Sequence, residues 1–139
     1  MAKAQAQKPK SLGAKEARKK KRIIKVTRGR AYIKATFNNT IITLTDAEGN
    51  AIASSSPGSI GFKGSRKSTP FAATKAAEDA VARAQKSGIS EVDVVIVGPG
   101  PGRAAAVKGL DSAGLKVLSM VDKTPLPHNG CRPKKRRRV

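Results

Sequence analysis

The sequence lacks tryptophan and contains a single cysteine and a single histidine. With Cys131 as its only cysteine the chain cannot form an internal disulfide, which favours a reducing compartment. Cys131 and His128 are too few to hold a structural zinc ion, which takes four protein ligands. Aromatic residues make up only 3% of the chain, so the core must be built from Ile, Val, Leu and Ala. We therefore expect an aliphatic core, with no metal and no other cofactor.

Long apolar runs are also absent. No stretch approaches the roughly 18 apolar residues that a membrane-spanning helix requires. Residues 1–22 contain no apolar segment of the kind found in secretory signals. A chain of 139 residues has the usual size of one domain. We expect a soluble, cytoplasmic protein that contacts no membrane.

Acidic residues are scarce, with 9 Asp and Glu against 29 Lys and Arg and a formal net charge of +20. Residues 1–22 carry nine basic side chains and one acidic, and residues 131–139 carry six basic and none acidic. Such an excess is typical of proteins that bind nucleic acid. The composition predicts a disordered basic tail over 1–22, a globular domain over 23–123 and a basic, proline-containing tail over 124–139.

Three β-strand patterns precede the first helix pattern. Residues 30–37 alternate, with Ala31, Ile33, Ala35 and Phe37 on one face. Asn38-Asn39 suits a tight turn. Two further strands are predicted at 40–45 and 51–56, separated by a turn at 46–50. The stretch 57–68 is polar, and no helix or strand is predicted there.

Two helix patterns alternate with the last two strands. Thr69 is a typical N-cap and Pro70 a typical first helical residue, and the helix is predicted to reach about Ser87 before Gly88. Its predicted packing face consists of Phe71, Thr74, Ala77, Val81 and Ala84. A strand at 92–97, a helix at 102–113 and a strand at 116–121 follow. The order β-β-β-α-β-α-β predicts an α/β domain with two right-handed crossovers.

The stretch GPGPG at 98–102, called the glycine loop below, has the position of a nucleotide-binding loop between a strand and a helix. A P-loop requires Lys and a hydroxyl residue after its last glycine, and neither follows Gly102. The two prolines also remove backbone N–H donors. Two interpretations stay open. The amides of Gly100, Gly102 and Arg103 bind one phosphate at a helix start, or the loop is a rigid connection with a solvated arginine.

The stretch GFKGSRKST at 61–69, called the basic loop below, also departs from a P-loop because Arg66 replaces the second glycine. Its composition favours binding of a phosphate backbone at a helix N-terminus over a flexible solvated connection. Phe62 is expected to be a half-buried anchor of the loop, with base stacking as the alternative. The groups predicted to contact phosphate are Lys63, Arg66, Lys67, Ser65, Ser68 and Thr69.

The stretch CRPKKRRRV at the C-terminal end places six cations where no core is available, so we expect them to bind phosphates, although a nuclear localisation signal has the same pattern. We hypothesise that Asn129 deamidates because Gly130 follows it, and the default interpretation of this pair is an ordinary turn. The carboxylates Asp46, Glu91, Asp93, Asp111 and Asp122 lie at turns or element ends, and no spacing selects a catalytic trio. We expect no enzyme activity and no small-molecule substrate. An alternative function for a chain with these basic tails is that of a nuclear or nucleoid DNA-binding protein.

Three stretches together resemble bacterial small-subunit ribosomal protein eleven: GFKGSRKSTPFAA at 61–73, GPGPGR at 98–103 and TPLPHNGCRPKKRRRV at 124–139. TFNNTIITLTDAEGN at 36–50 agrees, so the resemblance covers about residues 23–139. It implies a three-layer α/β/α domain with a five-stranded mixed sheet of ribonuclease-H-like topology and no active site.

The same resemblance implies a place on the platform of the small subunit. There the protein would bind the central domain of 16S ribosomal RNA, beside other platform proteins and near the exit-site messenger RNA and the Shine–Dalgarno region. By position, the residues it assigns to RNA are Lys63, Arg66, Lys67, Arg103, His128, Asn129, Arg132, Lys134, Lys135, Arg136, Arg137 and Arg138. Together with Ser68, Gly100 and Gly102 from the two loops, these form the predicted RNA-binding set.

Overall fold

The computed structural model describes residues 26–136 and Arg138. The predicted tail at 1–22 and the site residue Arg137 lie outside the described residues. The strands are β1 (Arg28–Ala35), β2 (Thr40–Asp46), β3 (Ala51–Ser55), β4 (Glu91–Val97) and β5 (Lys116–Asp122). The helices are α1 (Pro57–Ile60), α2 (Pro70–Ala84) and α3 (Arg103–Ser112), with 3-10 turns at Gly64–Ser68 and Gln85–Ser87. The predicted order of strands and long helices is confirmed.

The five strands form one mixed sheet in the order β3-β2-β1-β4-β5. Strand β2 runs antiparallel to β1 and β3, whereas β4 is parallel to β1 and β5 is parallel to β4. Across the centre, Ile33 pairs with Ile42 on one side and with Ile96 on the other, and all three side chains are buried. The expected α/β class with a five-stranded mixed sheet is confirmed.

Helices α2 and α3 cover one face of this sheet and pack side by side. A Cβ built on Gly109 of α3 would lie 2.8 Å from the Cβ of Ala77 in α2, so the helices approach as closely as small residues permit. Strands β3, β4 and β5 are parallel, and both crossovers move the same way across the sheet, so two right-handed connections place both helices on one face. Residues 26–136 therefore contain one helical layer, whereas the expected α/β/α arrangement has two.

The starts of the helices follow their local capping signals. Thr69 accepts a hydrogen bond at its Oγ1 from the Ala72 amide at 3.3 Å, and Pro70 is the first residue of α2. The short helix α1 was not predicted. It begins at a capping box in which Ser56 and Ser59 each accept a hydrogen bond from the other's backbone N–H.

Two phenylalanines lie outside the core positions expected of them. Strand β1 ends at Ala35, because the Thr36 amide donates to the Asn39 carbonyl at 2.8 Å and closes a turn, which leaves Phe37 71% exposed. The buried stripe of α2 consists of Ala72, Ala73, Ala76, Ala77, Ala80, Val81 and Ala84. Phe71 lies to the side of this stripe and is 64% exposed, so its predicted place on the packing face was wrong.

Candidate nucleic-acid interface

One end of the sheet brings together the two loops that hold predicted site residues. Strands β1, β3 and β4 are parallel, so their carboxyl ends lie at the same edge of the sheet. The turn at 36–39, the basic loop and the glycine loop follow these three ends. Ligands of open α/β sheets bind at the carboxyl ends of the strands, outside the sheet. The topology thus assembles segments that are far apart in the sequence into one candidate surface.

The glycine loop is a tightly packed connection. The Gly100 amide donates to the Ala35 carbonyl at 3.0 Å, and a Cβ on Gly100 would lie 2.4 Å from the carbonyl oxygen of Thr36. Gly98 has a φ of +102°, and its own Cβ position lies 2.2 Å from the Ala35 oxygen. Both glycines are therefore required by close backbone approach. The Gly100 amide, which we expected to bind phosphate, is instead used inside the protein.

Arg103 is not a free cation. Its guanidinium forms an ion pair with Asp122 at the end of β5. Asp122 also accepts hydrogen bonds from the Thr124 hydroxyl at 2.5 Å and the Thr124 amide at 2.9 Å. The hydrogen bonds from Thr124, with that from Arg103, hold the pKa of Asp122 below its ordinary value. The solvated arginine of the sequence interpretation is thus corrected to a paired one.

Thr124 joins this ion pair to the glycine loop. Its hydroxyl oxygen accepts a hydrogen bond from the Gly98 amide at 3.1 Å while its proton goes to Asp122. The start of the segment 124–139, called the C-terminal tail below, is therefore fastened beside the glycine loop. This contact fixes the point on the domain from which the basic residues of the tail extend.

The basic loop is regular structure rather than a flexible connection. It contains the 3-10 turn Gly64–Ser68 and leads directly into α2. The Ser68 hydroxyl donates to the Ser65 carbonyl at 2.8 Å, and the Thr69 hydroxyl donates to the Arg66 carbonyl at 2.8 Å. The hydroxyl protons of Ser68 and Thr69 are therefore used within the loop. The expectation that they donate to phosphate is corrected, whereas both oxygens keep acceptor capacity.

The cations of the basic loop carry unneutralised charge. Lys63 and Arg66 are exposed and Lys67 is half-buried. The five ion pairs among residues 26–136 involve Arg28, Lys75, Arg83, Arg103 and Lys116, and none involves the basic loop or the C-terminal tail. The carboxylates of the fold thus leave these two segments free to meet an external anion.

All three phenylalanines of the chain lie around the basic loop. Phe62 is half-buried, as expected, and its ring meets that of Phe71 edge to face, with centroids 6.3 Å apart. The ammonium of Lys75 lies 6.0 Å from the centre of the Phe71 ring. Phe37 stands across a cleft from the loop. Phe62 and Lys75 thus lie against the Phe71 ring, whereas the Phe37 ring is exposed at the cleft and is suited to a nucleic-acid base.

A model of the family described as ribosomal protein S11 matches residues 29–138 of this chain. This range includes the basic loop, the glycine loop and most of the C-terminal tail. The chain belongs to the ribosomal protein S11 family. Members of this family are structural, non-enzymatic components of the small ribosomal subunit that bind ribosomal RNA in translation. The unneutralised cations found at one end of the sheet are the features that such binding requires.

The family match extends through the exposed C-terminal tail. Within 124–136 the tail contains no helix or strand, and its predicted site residues His128, Asn129, Arg132, Lys134, Lys135 and Arg136 are exposed, as is Arg138. Asn129 has a φ of +54° and lies at a bend of the backbone. Deamidation at this site stays a prediction.

Sequence reasoning missed the contribution of the turn between β1 and β2. Phe37, Asn38 and Asn39 form one wall of a cleft, and Ser65, Lys67 and Ser68 contribute to the other. The only sequence signal for this wall was that Phe37, one of three phenylalanines in a chain with few aromatic residues, lies next to a polar turn.

No helix in the described part of the chain is long and apolar enough to cross a membrane.

Proposed function

We propose that this chain is a bacterial ribosomal protein that binds the central domain of 16S ribosomal RNA on the platform of the small subunit. Its place there is near the exit-site messenger RNA and the Shine–Dalgarno region, beside other platform proteins, in the cytoplasm. The chain acts by binding and not by catalysis. The proposal rests on the resemblance of the two loops and the tail to the bacterial proteins, together with the family match.

The observation that carries the proposed mechanism is the clustering of unpaired charge. Five of the described cations are paired with carboxylates, and most of the unpaired ones lie in the basic loop (Lys63, Arg66 and Lys67) and in the C-terminal tail, while others, such as Lys86 and Lys108, lie elsewhere in the fold. Lys and Arg that neutralise phosphates release counterions and supply most of the affinity for a polyanion. The structured loop contributes shape recognition, and the tail orders on the RNA.

The residues proposed to contact ribosomal RNA fall in three groups. The basic loop contributes cations and the Ser68 oxygen, and the glycine loop contributes a close-packed surface at Gly100 and Gly102 next to Arg103. The tail contributes His128, Asn129, Arg132, Lys134, Lys135, Arg136, Arg137 and Arg138. Since Arg103 is paired with Asp122, we expect it to contribute less charge than Arg66.

The test compares binding of the full chain to a central-domain fragment of 16S RNA, to duplex DNA of equal length and to ATP, over a series of salt concentrations. We expect RNA binding to persist at salt that releases the DNA, and no saturable binding of ATP. Loss of RNA and DNA at the same salt concentration would overturn the proposal, because it would show binding to any polyanion.

A pair of double variants assigns the affinity to the basic loop. Lys63→Gln with Arg66→Gln should reduce the slope of log affinity against log salt by about 0.7 to 0.9 for each phosphate that the variant no longer neutralises. Lys86→Gln with Lys108→Gln removes the same charge from two exposed residues that are also in no ion pair within residues 26–136. Equal effects of the two double variants would contradict a specific role for the loop.

A further inference from the structure

We propose that the cleft between the β1–β2 turn and the basic loop holds one unstacked nucleotide of single-stranded RNA, with its base against Phe37 and its phosphate at Lys67. This inference rests on the proposed function and adds to it a defined subsite and a nucleotide conformation. It concerns Phe37, Asn38 and Asn39, which no motif in the sequence assigned to binding.

The cleft has the size and composition for such a ligand. Its volume is about 590 Å³, within the roughly 300–1,000 Å³ of small-ligand sites. Phe37, Asn38 and Asn39 line one side, and Ser65, Lys67 and Ser68 lie on the other. None of the residues that line it is acidic, so an anion meets no like charge. The aromatic ring suits the face of a base, the amides suit its polar edge, and the cation suits a phosphate.

The turn that carries Phe37 is held in place by its own hydrogen bonds. The Thr36 amide and hydroxyl both donate to the Asn39 carbonyl, at 2.8 and 3.0 Å, and the Asn39 amide donates back to the Thr36 hydroxyl at 3.1 Å. Phe37 is nevertheless 71% exposed, although burying a Phe side chain stabilises a fold by about 1.5–3 kcal/mol. The fold thus presents the ring at the mouth of the cleft instead of burying it.

The amide side chains that line the cleft keep hydrogen-bonding groups available for a base. The Asn39 side-chain oxygen accepts from the Thr40 amide at 3.0 Å, which leaves its two N–H donors directed away from that contact. Asn38 is exposed and offers both a donor and an acceptor. A paired base has these edges occupied and its faces stacked, so only an unstacked nucleotide fits this set of groups.

Lys67 supplies the charge at the opposite wall. It is half-buried, and its Cδ lies 3.7 Å from the Cβ position of Gly58, so its stem lies along α1. Its ammonium is in no ion pair with a described carboxylate. A lysine fixed by its stem and free at its head is suited to a phosphate.

The absence of tryptophan makes a direct test possible. In the full-length Phe37→Trp variant the new indole is the only tryptophan of the chain, and stacking on a base quenches its fluorescence. We expect quenching by single-stranded oligouridylate and oligoadenylate, and none by duplex RNA of equal length. Phe71→Trp is the matched control, because Phe71 is also exposed but does not line the cleft.

Binding is measured in the same samples by anisotropy of labelled RNA. Phe37→Ala should weaken single-strand binding about 5- to 150-fold, the range for one stacked base, without changing the salt slope. Lys67→Gln should reduce that slope by about 0.7. Unchanged fluorescence of Phe37→Trp while RNA is bound, or equal quenching at Phe71→Trp, would overturn the nucleotide site and leave the proposed function standing. Failure of the wild-type chain to bind RNA would instead refute the proposed function.

Discussion

The glycines of this chain differ in which atoms surround the position that a Cβ would occupy. At Gly100 a methyl group would lie 2.4 Å from the Thr36 oxygen and 2.8 Å from the Ala35 carbonyl carbon, both backbone atoms. At Gly58 in α1 the nearest atom is the flexible Cδ of Lys67, at an ordinary contact distance of 3.7 Å. The cost of the same substitution therefore depends on whether a backbone atom or a side-chain end must move.

We expect Gly100→Ala to lower the free energy of unfolding by about 1–3 kcal/mol, because the glycine loop must separate from the end of β1. Gly58→Ala should raise it by about 0.4–1 kcal/mol, since alanine reduces the freedom of the unfolded chain and fits the helix. Chemical denaturation of both variants and the parent measures these differences. Equal stability of Gly100→Ala and the parent would show that the loop is less tightly packed than described.

Single elements of this fold end in contacts that position the next segment. Strand β5 ends at Asp122, which binds both Arg103 at the start of α3 and Thr124 at the start of the tail. Thr124 in turn accepts from the Gly98 amide in the glycine loop. A carboxylate thus joins a strand end, a helix start and a tail, and the charge state of Asp122 should control how firmly the tail is fastened.

The pKa of Asp122 is lowered, first by the Thr124 hydroxyl, then by the Thr124 amide and the Arg103 guanidinium. A lowered pKa means that the folded state favours the carboxylate, so its contribution is complete above the ordinary aspartate pKa of about 3.9. The contribution is lost as the pH falls through the lowered value. We expect the Thr124 amide resonance to shift in that acidic range as the tail loosens.

The Asp122→Asn variant distinguishes the contact between Asp122 and Thr124 from the other carboxylates that become protonated at acidic pH. Asp46 and Asp93 also have lowered pKa values, through hydrogen bonds led by Asn50 and Ser119 respectively, so a global acid melt reports all three. In Asp122→Asn the Thr124 amide should lose its acid shift and should already exchange faster with solvent at neutral pH. The same acid shift in the variant and the parent would assign it to another group.

The whole molecule divides its charge between a packed domain and exposed segments. Residues 131–139 carry six cations and no acid, and the tail residues described there are exposed. Their like charges repel one another, and no carboxylate of residues 26–136 pairs with them. The tail should therefore contribute to RNA affinity and almost nothing to the stability of the domain.

Removal of residues 128–139 keeps Thr124 and its contacts, so we expect the thermal midpoint of the domain to stay within error of the parent. Affinity for the 16S fragment should fall, and the salt slope should decrease by about 0.7 to 0.9 for each phosphate that the tail neutralised. Calorimetry and binding over a salt series measure the two effects. A large loss of thermal stability with unchanged RNA affinity would reverse the assignment.

Local signals were sufficient for most of the secondary structure. The alternation in β1, the Thr69 cap, Pro70 and the stop at Gly88 each act within a few residues, so their effects can be inferred without a fold. The helix α1 escaped prediction because its capping box spans only Ser56 and Ser59 within a polar stretch. Phe71 was misplaced because the buried stripe of α2 is set by where α3 and the sheet lie.

The sequence by itself determined the α/β class, the order of the long elements and the partition of charge, since each depends on composition or short spacing. Only the tertiary structure decided which polar groups remain available to a ligand. The Gly100 amide meets Ala35, 65 positions earlier in the chain, and Arg103 meets Asp122 on another element. The cleft at Phe37 likewise needs the turn after β1 and the loop before α2 to meet. Such contacts arise from strand order and packing, which no local pattern encodes.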